Sequence, residues 1–139
     1  HTDGGARGNP GPAGIGFTIE GPGVERVDHG AYIGETTNNV AEYTAAIHAL
    51  RKLKGLLGAD HATHASVEVK ADSELLVKQM NGEYKVKNED LKILFADLSN
   101  ICRDFHDVSF VHIRREQNHG ADRMVNQALD RQEKARRAS

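Results

Sequence analysis

The sequence predicts an α/β fold, a mixed five-stranded sheet with helices packed on it, and three observations predict it. Ile15, Phe17 and Ile19 alternate with Gly16 and Thr18, the two-residue period of a half-buried strand. Ala46, Leu50, Leu53 and Leu57 instead step by four, three and four, which draws one apolar stripe along a helix. In the second half of the chain strand and helix patterns alternate, an order that places helices on a sheet with parallel and antiparallel pairs.

The first possible strand ends at Asp3, because the glycines and prolines of TDGGARGNPGPAG read as a turn. EGPG at 20–23 is turn chemistry, so residues 15–32 form a hairpin. The first helix runs from Asn39 to about Gly58 and carries Glu42 on its apolar stripe. Val67, Val69 and Ala71 alternate as a strand that hands over at Asp72 to a short helix, DSELLVKQMNG, closed by Gly82. A third helix fits 89–103 with Leu91, Leu94, Phe95, Leu98 and Cys102 inward, and DVSFVHIR at 107–114 is a strand. The last helix begins near Gly120 or Ala121, buries Ala121, Met124, Val125, Ala128 and Leu129, and holds Asp122 in its first turn. RQEKARRAS beyond it is expected to fray as a solvated tail.

Composition narrows the function classes. At 139 residues the chain fits one domain. No apolar run approaches the roughly 18 residues of a membrane span. Cys102 is the only cysteine, so there is no internal disulfide and no cysteine-based zinc cage, which suits a reducing cytoplasm. A net charge of −2 gives no long-range steering toward nucleic acid and leaves local basic patches open.

Four acids stand out, and each also has a purely structural use. Glu42 could form a reciprocal capping pair with Asn39, Asp72 could cap its helix, Asp122 complements a helix dipole, and Asp3 could be a turn residue. Their positions together argue for more. Asp3 and Asp72 end strands, and Glu42 lies on a face that should point at the sheet, with no lysine or arginine on its stripe to pair with it. Convergence of the four would raise some of their pKa values until a cation neutralised them. A donor set of oxygens alone favours Mg²⁺ or Mn²⁺ over zinc. Two such ions roughly 4 Å apart can drive an in-line phosphoryl displacement.

TDGGARGNPGPAGIG, TTNNVAEYTAAI, VKADSELLVKQMNG and HIRREQNHGADRMVNQAL, in this order, resemble the signature blocks of type 1 ribonuclease H over nearly the whole chain. The resemblance implies a ribonuclease H-like fold, with residues 1–131 as the catalytic domain and 132–139 as a polar, basic tail. It implies a metal site of Asp3, Glu42, Asp72 and Asp122 holding two Mg²⁺ ions, or Mn²⁺, when substrate is bound. Asp3 would bridge both ions, Asp72 and Asp122 would hold one, and Glu42 the other. The implied activity is endonucleolytic cutting of the RNA strand of an RNA/DNA hybrid, leaving 5′-phosphate and 3′-hydroxyl ends, by a monomer. Asn9, Asn38 and Asn39 match contacts to minor-groove edges and 2′-hydroxyls, with turn and capping roles as the structural alternatives. Thr37 and Asn88 match a pocket for a phosphate of the DNA strand.

The chain also departs from the family pattern. Glu35 stands where an arginine is often found beside that pocket, and an acid there repels phosphate, so weaker affinity without loss of activity is expected. NGEYKVKNED is too short for the basic protrusion, which makes this a compact member and turns attention to Lys78, Lys85 and Lys87, a substrate grip or a solvated basic face. REQNHGAD is likewise short, and its His119 is a candidate for proton transfer or product release, with a surface histidine as the alternative. Only His1 and Thr2 precede Asp3, so the first strand is expected to leave core exposed and the first acid loosely held. The readings that compete with a free-standing nuclease are another nuclease or integrase on the same fold, a non-catalytic hybrid-binding module, and the ribonuclease H domain of a larger polymerase.

Overall fold

The computed structural model describes residues 1–138. Five strands, β1 (Thr2–Ala6), β2 (Gly11–Gly21), β3 (Val24–Thr36), β4 (Ser66–Ala71) and β5 (Asp107–His112), form one sheet in the order β3-β2-β1-β4-β5. β1, β2 and β3 pair antiparallel, while β4 pairs parallel with β1 and β5, so the sheet is mixed as predicted. The helices are α1 (Asn38–Leu57), α2 (Ala59–Ala62), α3 (Glu74–Met80), α4 (Glu89–Cys102) and α5 (His119–Ala138). None of them is long and apolar enough to cross a membrane.

One face of the sheet carries α1, backed by α4, over a core that includes Tyr43, Ile47, Leu50, Leu76, Leu98, Phe105 and Phe110. Half-buried Cys102 packs against this core. The buried Tyr43 hydroxyl donates to Gln79 Oε1 at 2.6 Å, which ties α1 to α3 without an unsatisfied polar group. α5 lies on the other face of β2 and β3. It comes so close that a Cβ on Gly16 would stand 2.2 Å from the Ala121 carbonyl oxygen, and one on Gly30 2.3 Å from that of Met124. β2 is therefore buried on both faces from Ala13 to Ile19, not half-buried as its alternation suggests.

The glycine-rich opening is also more regular than expected. The first strand does not end at Asp3 but continues through Gly4 and Gly5 to Ala6, paired in register with β2 from Thr2↔Phe17 to Ala6↔Ala13. Its glycines are a packing requirement: a Cβ on Gly4 would stand 2.2 Å from the Ala41 carbonyl carbon, because α1 lies directly on β1. The hairpin extends over 11–36, beyond 15–32. α5 continues to Ala138, so the described part of the expected frayed tail is helical.

β1 meets β4 at the single pair Thr2↔Ala71. An apolar trough beside this pair is lined by residues that include Ile19, Leu50, Leu53, Leu57, Val67 and Val69. Asp3 is nonetheless firmly held, 8% exposed and opposite Gly16.

Candidate metal centre

Asp3, Glu42 and Asp72 converge from three elements. Asp3 comes from β1, Glu42 from the second turn of α1, and Asp72 from the residue after β4. Each offers a carboxylate oxygen, and these oxygens all lie within 4.8 Å of one another. An ion bound at about 2.1–2.5 Å from each oxygen spans up to about 5 Å, so the group fits one hard divalent cation.

The capping roles considered for these acids do not form. Thr37 caps α1 by accepting from the Val40 amide at 3.3 Å, and Glu42, 7% exposed, instead accepts from the Gly4 amide. Ser73 caps α3 by accepting from the Leu76 amide at 3.2 Å, which leaves Asp72 to the site. Burial raises the Asp3 carboxyl to about 7, with the charge of Asp72 the next cause. Glu42 is pushed well above the usual carboxylate range by burial first and then by Asp3 and Asp72. Two carboxyls reluctant to ionise beside a third acid form a site that a cation would complete.

Asp122, in the first turn of α5, is not part of the tight triad but stands close enough to raise the Asp3 pKa. Its Oδ2 accepts from Asn126 Nδ2 at 3.4 Å. The acids border an open trough also lined by Arg7, Asn38, Asn39, Ser73, Arg115 and Asn126. Arg115, in a short 3-10 turn ahead of α5, is the basic residue of that segment on the trough. His119 is exposed and does not line it.

Sequence reasoning missed Asn118. It is fully buried, and its Nδ2 donates both to the Thr2 carbonyl at 2.8 Å and to Asp72 Oδ2 at 3.1 Å. Its Oδ1 has no hydrogen-bond partner among the described residues. Its carbonyl accepts from the Asp122 amide at 3.0 Å, so one residue touches two acid-bearing segments and the strand that holds the third. The signal available was an amide four residues before an acid at a helix start, which is common at helix entries without such a role.

Of the remaining candidates, Asn38 and Asn39 line the trough. Asn9 Oδ1 accepts from the Asn38 amide at 3.1 Å, and Asn38 Oδ1 from the Ala6 amide at 2.8 Å. Asn39 is exposed in the first turn of α1. Asn88 caps α4 by accepting from the Leu91 amide at 3.1 Å. Glu35 is exposed near the end of β3, opposite Pro12. Lys78 pairs with Glu74 at 2.9 Å and lies 5.0 Å over the Tyr84 ring, whereas Lys85 and Lys87 are exposed.

The family model described as "Reverse transcriptase-like" matches residues 1–128. Ribonuclease H of Hydrogenovibrio crunogenus is 34% identical over 139 residues, covering 93% of this chain and 92% of that protein. A bifunctional protein of Mycobacterium tuberculosis is 39% identical over 135 residues, covering 92% of this chain and 34% of that protein. The chain thus spans about a third of the length of the mycobacterial relatives it matches. Among solved structures, LC11-RNase H1 in complex with an RNA/DNA hybrid aligns with a TM-score of 0.86 and 51% identity over 94% of both chains. With nearly the whole chain matched at these identities and its architecture shared with a type 1 enzyme, the protein belongs to the ribonuclease H family and has the type 1 ribonuclease H fold.

Proposed function

We propose that the chain cuts the RNA strand of RNA/DNA hybrids endonucleolytically, with Mg²⁺ or Mn²⁺, and leaves 5′-phosphate and 3′-hydroxyl ends. The observation that carries the reading is the convergence of Asp3, Glu42 and Asp72 at a trough that Asp122 borders. Bound there, divalent ions supply the positive charge that activates a water and stabilises an in-line displacement at phosphorus. Asp3 would be shared between two ions, with Asp72 and Asp122 on one side and Glu42 on the other. Asn118 fixes the orientation of Asp72, and the Gly4 amide fixes that of Glu42.

Substrate choice follows from donors. Asn9, Asn38, Thr37 and Asn88 each engage a side-chain oxygen with a backbone amide. What each has left to offer is its N–H or O–H. Such donors match the acceptors of a hybrid: minor-groove edges and the 2′-hydroxyl oxygen for Asn9 and Asn38, and a DNA-strand phosphate for Thr37 and Asn88. Capping and binding are thus compatible uses of one side chain.

The test is cleavage of a labelled RNA/DNA hybrid with Mg²⁺, with Mn²⁺ and with EDTA, beside RNA/RNA and DNA/DNA duplexes. Metal-dependent cutting confined to the RNA strand of the hybrid is expected. Asp72→Asn should abolish cutting and largely spare hybrid binding. Binding without cutting by the unaltered chain would instead make it a hybrid-binding module, and cutting of DNA duplex would make it a different nuclease on this fold.

A further inference from the structure

Arg7 leaves the end of the central strand, four residues after Asp3, and reaches across to α5. Its Nη1 donates to Glu133 Oε1 at 2.7 Å, and its Nη2 to Asp130 Oδ1 at 2.8 Å and to Asn126 Oδ1 at 3.4 Å. Asn126 in turn donates from Nδ2 to Asp122 Oδ2 at 3.4 Å. Asp122, Asn126, Asp130 and Glu133 recur at helical spacing, so they form one stripe of α5 turned toward Arg7. The backbone of Arg7 is fixed as well: its amide donates to the Pro12 carbonyl at 2.8 Å, and the preceding Ala6 amide donates to Asn38 Oδ1.

We propose that Arg7 is a positioning residue for the metal site: it sets the rotation of α5 against β1 and, through Asn126, the orientation of Asp122 relative to Asp3. This rests on the assignment of those two acids as metal ligands. The relay suits arginine, because a planar guanidinium can hold several acceptors at once in fixed directions, which a lysine cannot. Stability is a poor explanation for the network. The side chains of Arg7, Asp130 and Glu133 are 34%, 68% and 43% exposed, and ion pairs that open to water contribute little to folding. What the pairs supply is a fixed angle between the strand bearing one acid and the helix bearing another.

The rival explanation is that Arg7, which also lines the trough, grips a substrate phosphate directly. Four proteins separate the two: the unaltered chain, Arg7→Ala, Asn126→Ala and the double variant. Each is measured for Mn²⁺ affinity by electron paramagnetic resonance without nucleic acid, for kcat and KM on a hybrid, and for melting temperature. Outer-shell partners of a metal site typically change affinity or rate by 10–100-fold, and this longer relay should change them by about 3–10-fold. Each single variant is expected to weaken Mn²⁺ binding and lower kcat by that factor, with KM within about twofold, and the double variant to be no worse than Arg7→Ala. A raised KM with kcat and Mn²⁺ affinity intact would overturn the proposal in favour of a substrate contact. A lower melting temperature alone, or additive losses in the double variant, would also overturn it. If the unaltered chain proved unable to cut hybrid, the activity would be refuted, while the Mn²⁺ affinities would still decide the role of Arg7.

Discussion

At the scale of single residues the site is a set of charges held where they are unfavourable. In metal-free protein the folded Asp3 carboxyl titrates at about 7, well above its ordinary value of 3.8. Between those values the folded state holds a proton that the unfolded state has released, so the Asp3 contribution to stability falls as pH rises through that window, and Glu42, raised in the same direction, adds to the fall. Calorimetry without metal should show the melting temperature declining from about pH 4 to pH 7, and Asp3→Asn should flatten the slope. Mn²⁺ should raise the melting temperature more at pH 7.5 than at pH 5, because protons compete for the same oxygens. Asn118→Ala removes the amide shared by Thr2 and Asp72, and leaving buried acceptors unsatisfied costs about 1–3 kcal/mol. Urea unfolding should show that loss, together with weaker Mn²⁺ binding. Glu42 and Asp72 were legible in the sequence because each interrupts a pattern: Glu42 breaks an apolar stripe, and Asp72 lies at a strand-to-helix change, whereas Asp3 stood out for a turn that the structure replaces with continued strand. Asn118 was not legible, because its partners are 116 and 46 residues away and only the fold brings them together.

At the scale of elements, glycine decides how closely the layers approach. α5 crosses Gly16 and Gly30, and α1 crosses Gly4, so closely that an added Cβ would collide with main chain at each. Gly16→Ala should therefore destabilise by about 1–3 kcal/mol or more, since the added methyl meets the Ala121 carbonyl oxygen and main chain cannot rotate aside. Its effect on cutting should exceed its effect on hybrid binding, because the displaced helix carries Asp122. Helix and strand periods made the elements themselves readable from sequence. β1 was the exception, since local chemistry reads TDGGA as a turn, while pairing with β2 and the close approach of α1 make it a strand. The extent of α5 was hidden for a related reason. The polar run after Leu129 includes Asp130 and Glu133, whose partner Arg7 sits at the opposite end of the chain.

At the scale of the whole molecule the acids collect on the central strand, where antiparallel pairing with β2 and parallel pairing with β4 meet. Mixed topology could be read from element order, but which strands stand next to each other could not. Asp3 lies on β1, Asp72 just after β4 and Glu42 on α1, so the three acids draw two neighbouring strands and the helix packed on them to one point. Asn118 ties the same strands together by donating to the Thr2 carbonyl and to Asp72. Amide hydrogen exchange should slow in β1, β4 and the first turns of α1 when Mn²⁺ is added, before any nucleic acid is present. A cation held by Asp3, Glu42 and Asp72 would thus act as a rivet between two strands and a helix, fastening the fold at the point where it gathers charge.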